Sequence, residues 1–235
     1  MKIGLHGIAY PGVWYRGTIP LILCCAAGLC AIAVEPSATL FENGDVKVSR
    51  ALEKPHVKGS FHEHKVNRVM VYLQAGNQRF EYRDGRKPAV FDWKAGQVVW
   101  SVPDGIHSPE MVSDEPLNII EVELKKPGAG KPPAMKRDAL KVDSKHYKLE
   151  FENDQVRVLR MTLGAHQSTP MIGHPGNDLA IFLTDQETRA TDSNGRVETA
   201  KHKAGEVAWQ TANTQKLENT GETPLELLLL ELRLN

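Results

Sequence analysis

The segment Gly59-Ser-Phe-His-Glu-His-Lys-Val-Asn-Arg-Val-Met-Val-Tyr-Leu73 joins two closely spaced histidines to an apolar run typical of a β-strand. Residues i and i+2 of a strand point to the same face. A strand here would therefore direct His62 and His64 toward one point, as two ligands of a metal ion require. His107 follows a second hydrophobic strand pattern. A His-x-His pair alone is weak, so the interpretation depends on the rest of the chain.

The surroundings of this segment occur twice. Phe41-Glu-Asn-Gly-Asp-Val-Lys-Val-Ser-Arg50 is matched by Phe151-Glu-Asn-Asp-Gln-Val-Arg-Val-Leu-Arg160, 110 residues later. With two single-residue slips, the match continues through Trp100 and Trp209 to the ends of both copies. A repeat of this length predicts two copies of one domain. We place them at residues 36–124 and 142–233, joined by a linker at 125–141 that is rich in Lys, Pro and Gly.

Each copy has the pattern of an all-β domain. Short runs of Val, Ile, Leu and aromatic residues are separated by turn signals, among them Asp84-Gly85 and Asn194-Gly195. Such spacing suggests a sandwich or a barrel. The nearly solid apolar run at 225–232 leaves a helix open on periodicity alone. Its match to the β-rich run at 117–124 favours a strand covered on both sides.

Residues 1–33 are predicted to be a signal peptide. Lys2 and Arg16 precede an apolar run that ends in Ala31-Ile-Ala33, a cleavage pattern of small residues. The run is short for a membrane span, with a retained anchor as the alternative. It holds all three cysteines, Cys24, Cys25 and Cys30. We therefore expect a periplasmic or secreted chain that has no cysteine, and no stable membrane span after cleavage. The formal net charge of zero gives no electrostatic support for a nucleic-acid partner.

The chain resembles a tandem cupin, or bicupin. The motifs that carry the resemblance are His62-Glu-His64 and the later Gly96-Gln-Val-Val-Trp-Ser-Val-Pro-Asp-Gly-Ile-His107. The resemblance covers both copies. It implies an all-β fold of two tandem jelly-roll barrels, of the double-stranded β-helix type, with ligands held inside the barrel. Members of the family include dioxygenases, decarboxylases, isomerases and binding proteins.

The four ligand positions of the family do not all keep their usual residues. In copy one they correspond to His62, His64, Arg68 and His107, so an arginine replaces the usual glutamate. In copy two the corresponding residues are Ile172, His174, Asp178 and Gln215. Copy two is therefore interpreted as degenerate, kept for packing or for a different ligand.

The resemblance and the chemistry of imidazole together predict a metal site in copy one. Three neutral histidines suit divalent Fe, Zn, Mn, Ni or Cu. We expect His62, His64 and His107 to bind the metal and Arg68, as a catalytic residue, to hold an anionic small molecule beside it. The alternative is that the three histidines are hydrogen-bonded barrel residues without a metal.

Three functions remain open at this point. The first is a metal-dependent enzyme, of oxygenase or isomerase type, acting on a small oxygenated or carboxylated molecule. The second is a non-catalytic protein that binds a small ligand. The third is a homo-oligomeric structural protein in which an apolar strand such as 225–232 extends into a subunit interface.

Several other residues receive provisional roles. Asp104 and Glu110 flank His107 and are either ring-orienting partners or turn residues. The remaining isolated histidines are predicted to lie on the surface: His56, His146, His166 and His202.

Overall fold

The structure is a computed structural model that describes residues 37–130 and 135–235, so the predicted signal peptide lies outside the described residues. These residues form seventeen β-strands and one helix of four residues. The first half contains β1 (Ala38–Glu42), β2 (Val46–Glu53), β3 (Arg68–Tyr72), β4 (Gly76–Tyr82), β5 (Ala89–Trp93), β6 (Gln97–Ser101), β7 (His107–Met111) and β8 (Leu117–Leu124). The second half contains α1 (Ala139–Val142), β9 (Tyr147–Glu152), β10 (Val156–Leu163), β11 (Ile172–His174), β12 (Asp178–Phe182), β13 (Gln186–Asp192), β14 (Val197–His202), β15 (Val207–Gln210), β16 (Asn213–Asn219) and β17 (Leu225–Leu232).

Each half consists of two antiparallel sheets that form a jelly-roll barrel. In the first half the large sheet has the order β1-β2-β8-β3-β6, and the smaller sheet has the order β5-β4-β7. In the second half the corresponding orders are β9-β10-β17-β12-β15 and β11-β16-β13-β14. The large sheets share one order, strand for strand. The fold therefore confirms the predicted class, all-β with two tandem barrels. No helix in the described part of the chain is long and apolar enough to cross a membrane.

The central strands are covered on both faces, which explains their nearly solid apolar sequences. In β3, Val69 and Val71 face a core between the two barrels, whereas Met70 and Tyr72 face the inside of the first barrel. The predicted strand at 225–232 is β17, which pairs with β10 on one side and β12 on the other. A helix at this position is therefore wrong. So is the expectation that it extends into a subunit interface, because five of its eight residues in a row are buried within the chain.

The two barrels pack against each other through the outer faces of their large sheets. The shared core takes its buried side chains from both halves, with Val48 and Ile120 meeting Val158 and Leu228 in one cluster. Two aromatic contacts at its edge are reciprocal. Trp209 of the second barrel stacks on Phe41 of the first, and Trp100 of the first packs edge-on against Phe151 of the second.

Two arginines repeat this reciprocity. Arg160 of the second barrel donates from Nη2 to the carbonyl oxygen of Gly96 in the first, at 2.6 Å. Arg50 of the first barrel lies against Gly205 of the second, where an added Cβ would come within 2.8 Å of Nη2. Both glycines have positive φ, 75° and 83°. The interface therefore has approximate two-fold symmetry, with matching residues of each barrel making matching contacts.

The predicted linker is attached to the second barrel at both of its described ends. Ala129 N–H donates to Arg233 O and Gly130 N–H to Asp154 O. After residues 131–134, which lie outside the described residues, α1 buries Ala139 in the core of the second barrel. The ends of the linker are thus ordered parts of the fold, whereas the composition alone predicts a solvated connector.

Candidate metal centre

The His-x-His segment is irregular rather than a regular strand. Between β2 and β3 only isolated bridges form, one of which pairs His62 with His107. The backbone N–H of each donates to the carbonyl oxygen of the other, both at 2.9 Å. The strand predicted for residues 59–73 is therefore confirmed only over Arg68–Tyr72, which form β3. Around the histidines it is wrong, because the segment pairs with β7 at single residues only. The expected convergence of the histidines nevertheless occurs.

The three imidazoles meet at the mouth of the first barrel. Their ring centroids are 4.9 Å apart for His62 and His64, 4.8 Å for His62 and His107, and 5.6 Å for His64 and His107. One ring nitrogen from each lies within 4.8 Å of the others. Within the described residues this is the only cluster of three or more histidine, cysteine or acidic side chains that could hold a metal ion.

Hydrogen bonds hold two of the rings in the orientation that a metal ligand needs. His62 Nδ1 lies 2.9 Å from Ser60 O, and His107 Nδ1 lies 3.0 Å from Gly105 O. A carbonyl oxygen only accepts, so each Nδ1 carries the proton and each Nε2 keeps its lone pair. In metal-bound histidines, the ring nitrogen that does not bind the metal usually donates a hydrogen bond in this way. The donor set fits a divalent metal.

The ionisation of the cluster also suits a metal. Burial, the Arg68 guanidinium and the other two histidines lower the pKa of His64 to about 3. Burial is also the main cause of the lowered pKa of His107. Both rings are therefore neutral at ordinary pH, as metal ligands must be.

Asp104 and Glu110 do not orient His107. Asp104 Oδ1 accepts from Arg86 Nη1 at 2.8 Å, and Glu110 Oε2 accepts from Arg79 Nη1 at 3.2 Å. The backbone of Gly105 takes the role that these carboxylates were predicted to have. Of the two options for these residues, the surface and turn roles are the ones observed.

Arg68 begins β3 and points into the barrel with only 6% of its surface exposed. Its Nη1 lies 3.2 Å from Glu121 Oε2, and its Nη2 donates to Ser101 Oγ at 2.9 Å. Nε is buried without a protein partner among the described residues. Glu121 and Ser101 thus hold the guanidinium in place through two of its N–H groups. Because a guanidinium carries five N–H groups, the others remain available as donors.

The histidines and Arg68 line a cavity of about 730 Å³ that runs into the first barrel. Its wall includes two carboxyl groups that motif analysis does not single out, Glu53 and Glu121. Gln78 Nε2 donates to both oxygens of Glu53 at 2.7 and 2.8 Å, and Gln78 Oε1 accepts from Trp93 Nε1 at 2.9 Å. Burial is the main cause that raises the pKa of Glu53 to about 7. The alternation of the strands predicts both positions. Glu53 lies two residues after Ala51 and Glu121 two residues after Ile119, so each carboxyl group points to the same inward face as an apolar wall residue.

The second barrel has no comparable cluster at the corresponding positions. Ile172 pairs across β11 and β16 with Gln215. His174 Nδ1 lies 2.9 Å from Asp178 Oδ2, an ion-pair contact without good hydrogen-bond alignment. Both side chains are almost fully buried, and burial raises the pKa of Asp178.

Two of the four isolated histidines, predicted to lie on the surface, are partly buried instead. His146 is largely buried and contacts both carboxylate oxygens of Asp143 at 2.9 Å. His202 stacks on Phe182 with ring centroids 3.9 Å apart. His56 and His166 are mostly exposed, as expected, each beside an acidic residue.

Comparisons with known proteins support the fold class. No protein-family model matches the chain, and no curated protein matches it. Among solved structures, AerE from Microcystis aeruginosa superposes with a TM-score of 0.58 at 12% identity, covering 83% of this chain and 96% of that one. A cupin 2 conserved barrel domain protein from Leptotrichia buccalis gives 0.52 at 16% identity, covering 83% and 88%. Oxalate decarboxylase from Bacillus subtilis, in a structure concerned with its Mn(II) centres, gives 0.57 at 14% identity, covering 86% and 76%. At these identities the likeness establishes a cupin-type barrel fold.

Proposed function

We propose that this chain is an exported bicupin whose first barrel binds one divalent metal ion and acts on a small oxygenated or carboxylated molecule, in a reaction of oxygenase or isomerase type. His62, His64 and His107 are the metal ligands. The observation that carries the proposal is their convergence, with one ring nitrogen from each within 4.8 Å of the others, at the mouth of a cavity of about 730 Å³. The predicted signal peptide at residues 1–33 is the basis for export to the periplasm or medium.

The charges around the cavity favour an anionic ligand once a metal is bound. Arg68 carries one positive charge, and Glu121 beside it carries one negative charge. Glu53 has a pKa of about 7 and is only half ionised at neutral pH. A divalent ion would add two positive charges and would serve as a Lewis acid that polarises a bound oxygen atom. Lys54 and Asp104, the other two charged residues of the wall, carry opposite charges and offset each other. The total charge with a bound metal is therefore positive, so a carboxylate or enolate is the ligand whose burial is best compensated.

Arg68 is the residue proposed to orient this ligand. Its contacts with Glu121 and Ser101 fix the plane of the guanidinium, and its remaining N–H groups are available to a carboxylate. Fe, Zn, Mn, Ni and Cu all suit three imidazoles. Manganese gains some support from the oxalate decarboxylase neighbour.

A non-catalytic ligand-binding role is the second candidate, and the pairing of Arg68 with Glu121 favours it. A guanidinium whose charge is already compensated gives less stabilisation to charge that develops during a reaction. In that case the metal and ligand would bind without turnover.

The metal site is tested by elemental analysis of the purified chain beside a His62→Ala/His64→Ala double variant. We expect about one metal ion per chain in the parent and none in the double variant. His56→Ala/His166→Ala is the matched control, because it removes two exposed histidines and should leave the metal content unchanged. Equal metal in the parent and the His62/His64 variant, or none in the parent after reconstitution with Mn, Fe and Zn, would contradict the proposal.

A further inference from the structure

The second barrel encloses a cavity of its own, about 370 Å³ in volume. This size lies within the roughly 300–1,000 Å³ of small-molecule sites in proteins. Its walls come from every strand of the second barrel, β9 to β17. Many of the lining side chains are amides and hydroxyls: Gln186, Thr188, Thr199, Gln210, Thr211, Asn213 and Gln215.

Gln186 is the feature of this cavity that packing does not explain. It begins β13, where Gln186, Thr188 and Ala190 alternate along the strand and all line the cavity. Its side chain is 6% exposed, yet neither Oε1 nor Nε2 has a hydrogen-bond partner among the described residues. Buried amides in folded proteins are nearly always hydrogen-bonded, so an amide that faces a cavity without a partner indicates a ligand or solvent that completes it.

Asn213, on the neighbouring strand β16, carries another unused acceptor at the far end of the cavity, because the pairing of Asp192 with Gln215 places it about eight residues along the sheet from Gln186. Its Nδ2 donates to Thr211 O at 3.1 Å, which fixes the orientation of the amide. Its Oδ1 is buried and has no partner among the described residues. The Gln186 amide, with one donor group and one acceptor that the protein does not use, is therefore the binding feature at its own end of the cavity.

The wall carries almost no formal charge. Glu198 lines the cavity from an exposed position, and His174, which also lines it, lies beside the Asp178 carboxyl with Nδ1 2.9 Å from Oδ2. The cavity of the first barrel differs, because Arg68, Glu53 and Glu121 all line it. A charged ligand in the second barrel would lack an opposite charge to compensate its desolvation.

The first barrel is built differently at the matching position. The repeat pairs Gln186 with Gly76, where an added Cβ would lie 2.5 Å from Met111 Cε, so this space is filled by a methionine. The glutamine of the first barrel, Gln78, has its amide bonded to Glu53 and Trp93. The unpartnered amide thus belongs to the second barrel alone, within the described residues.

We infer that the second barrel is a metal-independent binding site for a small neutral molecule with several hydroxyl groups, about the size of a monosaccharide. A hydroxyl both donates and accepts, so neighbouring hydroxyls of one molecule can satisfy both Oε1 and Nε2 of Gln186. The stacked rings of Phe182 and His202, 3.9 Å apart and 8° from parallel, give the C–H faces of such a molecule an apolar wall.

The test uses the full chain after removal of metal with a chelator. Saturation-transfer NMR is recorded with myo-inositol, D-glucose and D-ribose as neutral probes and glycolate as a charged one. We expect at least one neutral probe to bind saturably, with a dissociation constant of about 1 mM or lower. Glycolate should not displace it. Gln186→Met, which keeps the length of the side chain, should weaken binding at least tenfold, whereas His62→Ala/His64→Ala should leave it unchanged.

Thermal unfolding separates this role from a structural one. Because the Gln186 amide lacks a protein partner, Gln186→Met should leave the unfolding temperature without probe unchanged or raise it. A drop of several degrees would assign the amide to the fold and overturn the inference. Failure of all three neutral probes to bind, equal binding by Gln186→Met, or loss of binding in the His62/His64 variant would also overturn it. None of these results bears on the metal content of the first barrel, so the two proposals fail separately.

Discussion

Glu53 is a buried carboxyl in the first barrel whose ionisation should change the stability of the fold near neutral pH. Burial raises its pKa from 4.5 to about 7, even though Gln78 donates to both of its oxygens. Below pH 4.5 the carboxyl is protonated in the folded and unfolded chains alike. Between pH 4.5 and about 7 only the folded chain keeps the proton, so the stabilisation from the neutral form is lost as pH rises through this window.

Replacing Glu53 by glutamine removes this dependence, because the amide is neutral at every pH. The rise in the pKa from 4.5 to about 7 corresponds to an upper limit of about 3 kcal/mol, at 1.36 kcal/mol per pH unit. Water that enters the cavity reduces this figure, and we expect about half of it. Relative to the parent, Glu53→Gln should therefore gain about 1.5 kcal/mol of unfolding free energy between pH 4.5 and pH 8.

Urea unfolding of the metal-free chain at intervals from pH 4.5 to 8 measures this difference. The parent minus variant difference cancels the titration of His64 and His107, which has the opposite sign. Glu198→Gln, an exposed carboxyl, is the matched control and should show no trend. If the difference between Glu53→Gln and the parent were the same at pH 4.5 and pH 8, the burial argument would be refuted.

Three further predictions concern the second barrel, the interface and Arg68. Glu231→Gln should show the same pH trend as Glu53→Gln in urea unfolding, because burial raises the pKa of Glu231 to about 7. Gly205→Ala should lower the unfolding free energy more than Gly195→Ala, by about 1 kcal/mol or more; both have positive φ, but only at Gly205 does the added methyl meet Arg50. Arg68→Lys should keep the metal by elemental analysis and weaken glycolate binding in a calorimetric titration about tenfold, because the bidentate fork is lost; tight glycolate binding by this variant would assign the anion to another residue.

The strand pattern of the large sheets could be predicted from sequence because each inward or outward position has a clear chemical signature. Val46 and Val48 alternate with polar residues in β2, and β17 is apolar throughout because the second barrel lies on one side and the interface on the other. The internal repeat supported the strand at 225–232 through its match to the β-rich run at 117–124. The sequence did not reveal that the outer faces of the two large sheets pack against each other. An apolar face shows that something covers it, but not which element does.

The sequence predicted the three candidate metal ligands, but not the groups that hold their rings in place. The spacing of His62 and His64 predicts convergence in any extended segment, so the prediction survived although the regular strand did not. The groups that hold the rings are backbone carbonyls of Ser60 and Gly105, and every residue has a carbonyl. Likewise, the open amide of Gln186 depends on which atoms lie around it, which only the folded chain determines.

The reciprocal contacts between the barrels have a consequence for how the two sites can differ. Trp209 with Phe41 and Trp100 with Phe151 make the same contact from opposite sides, as in the isologous interface of a two-fold symmetric homodimer. In a true homodimer every substitution enters both subunits at once. Here both partners belong to one chain and are held at a fixed effective concentration by residues 125–141. Each barrel can therefore change its interior independently while the shared face stays intact, which permits one chain to carry two unlike chambers on a symmetric frame.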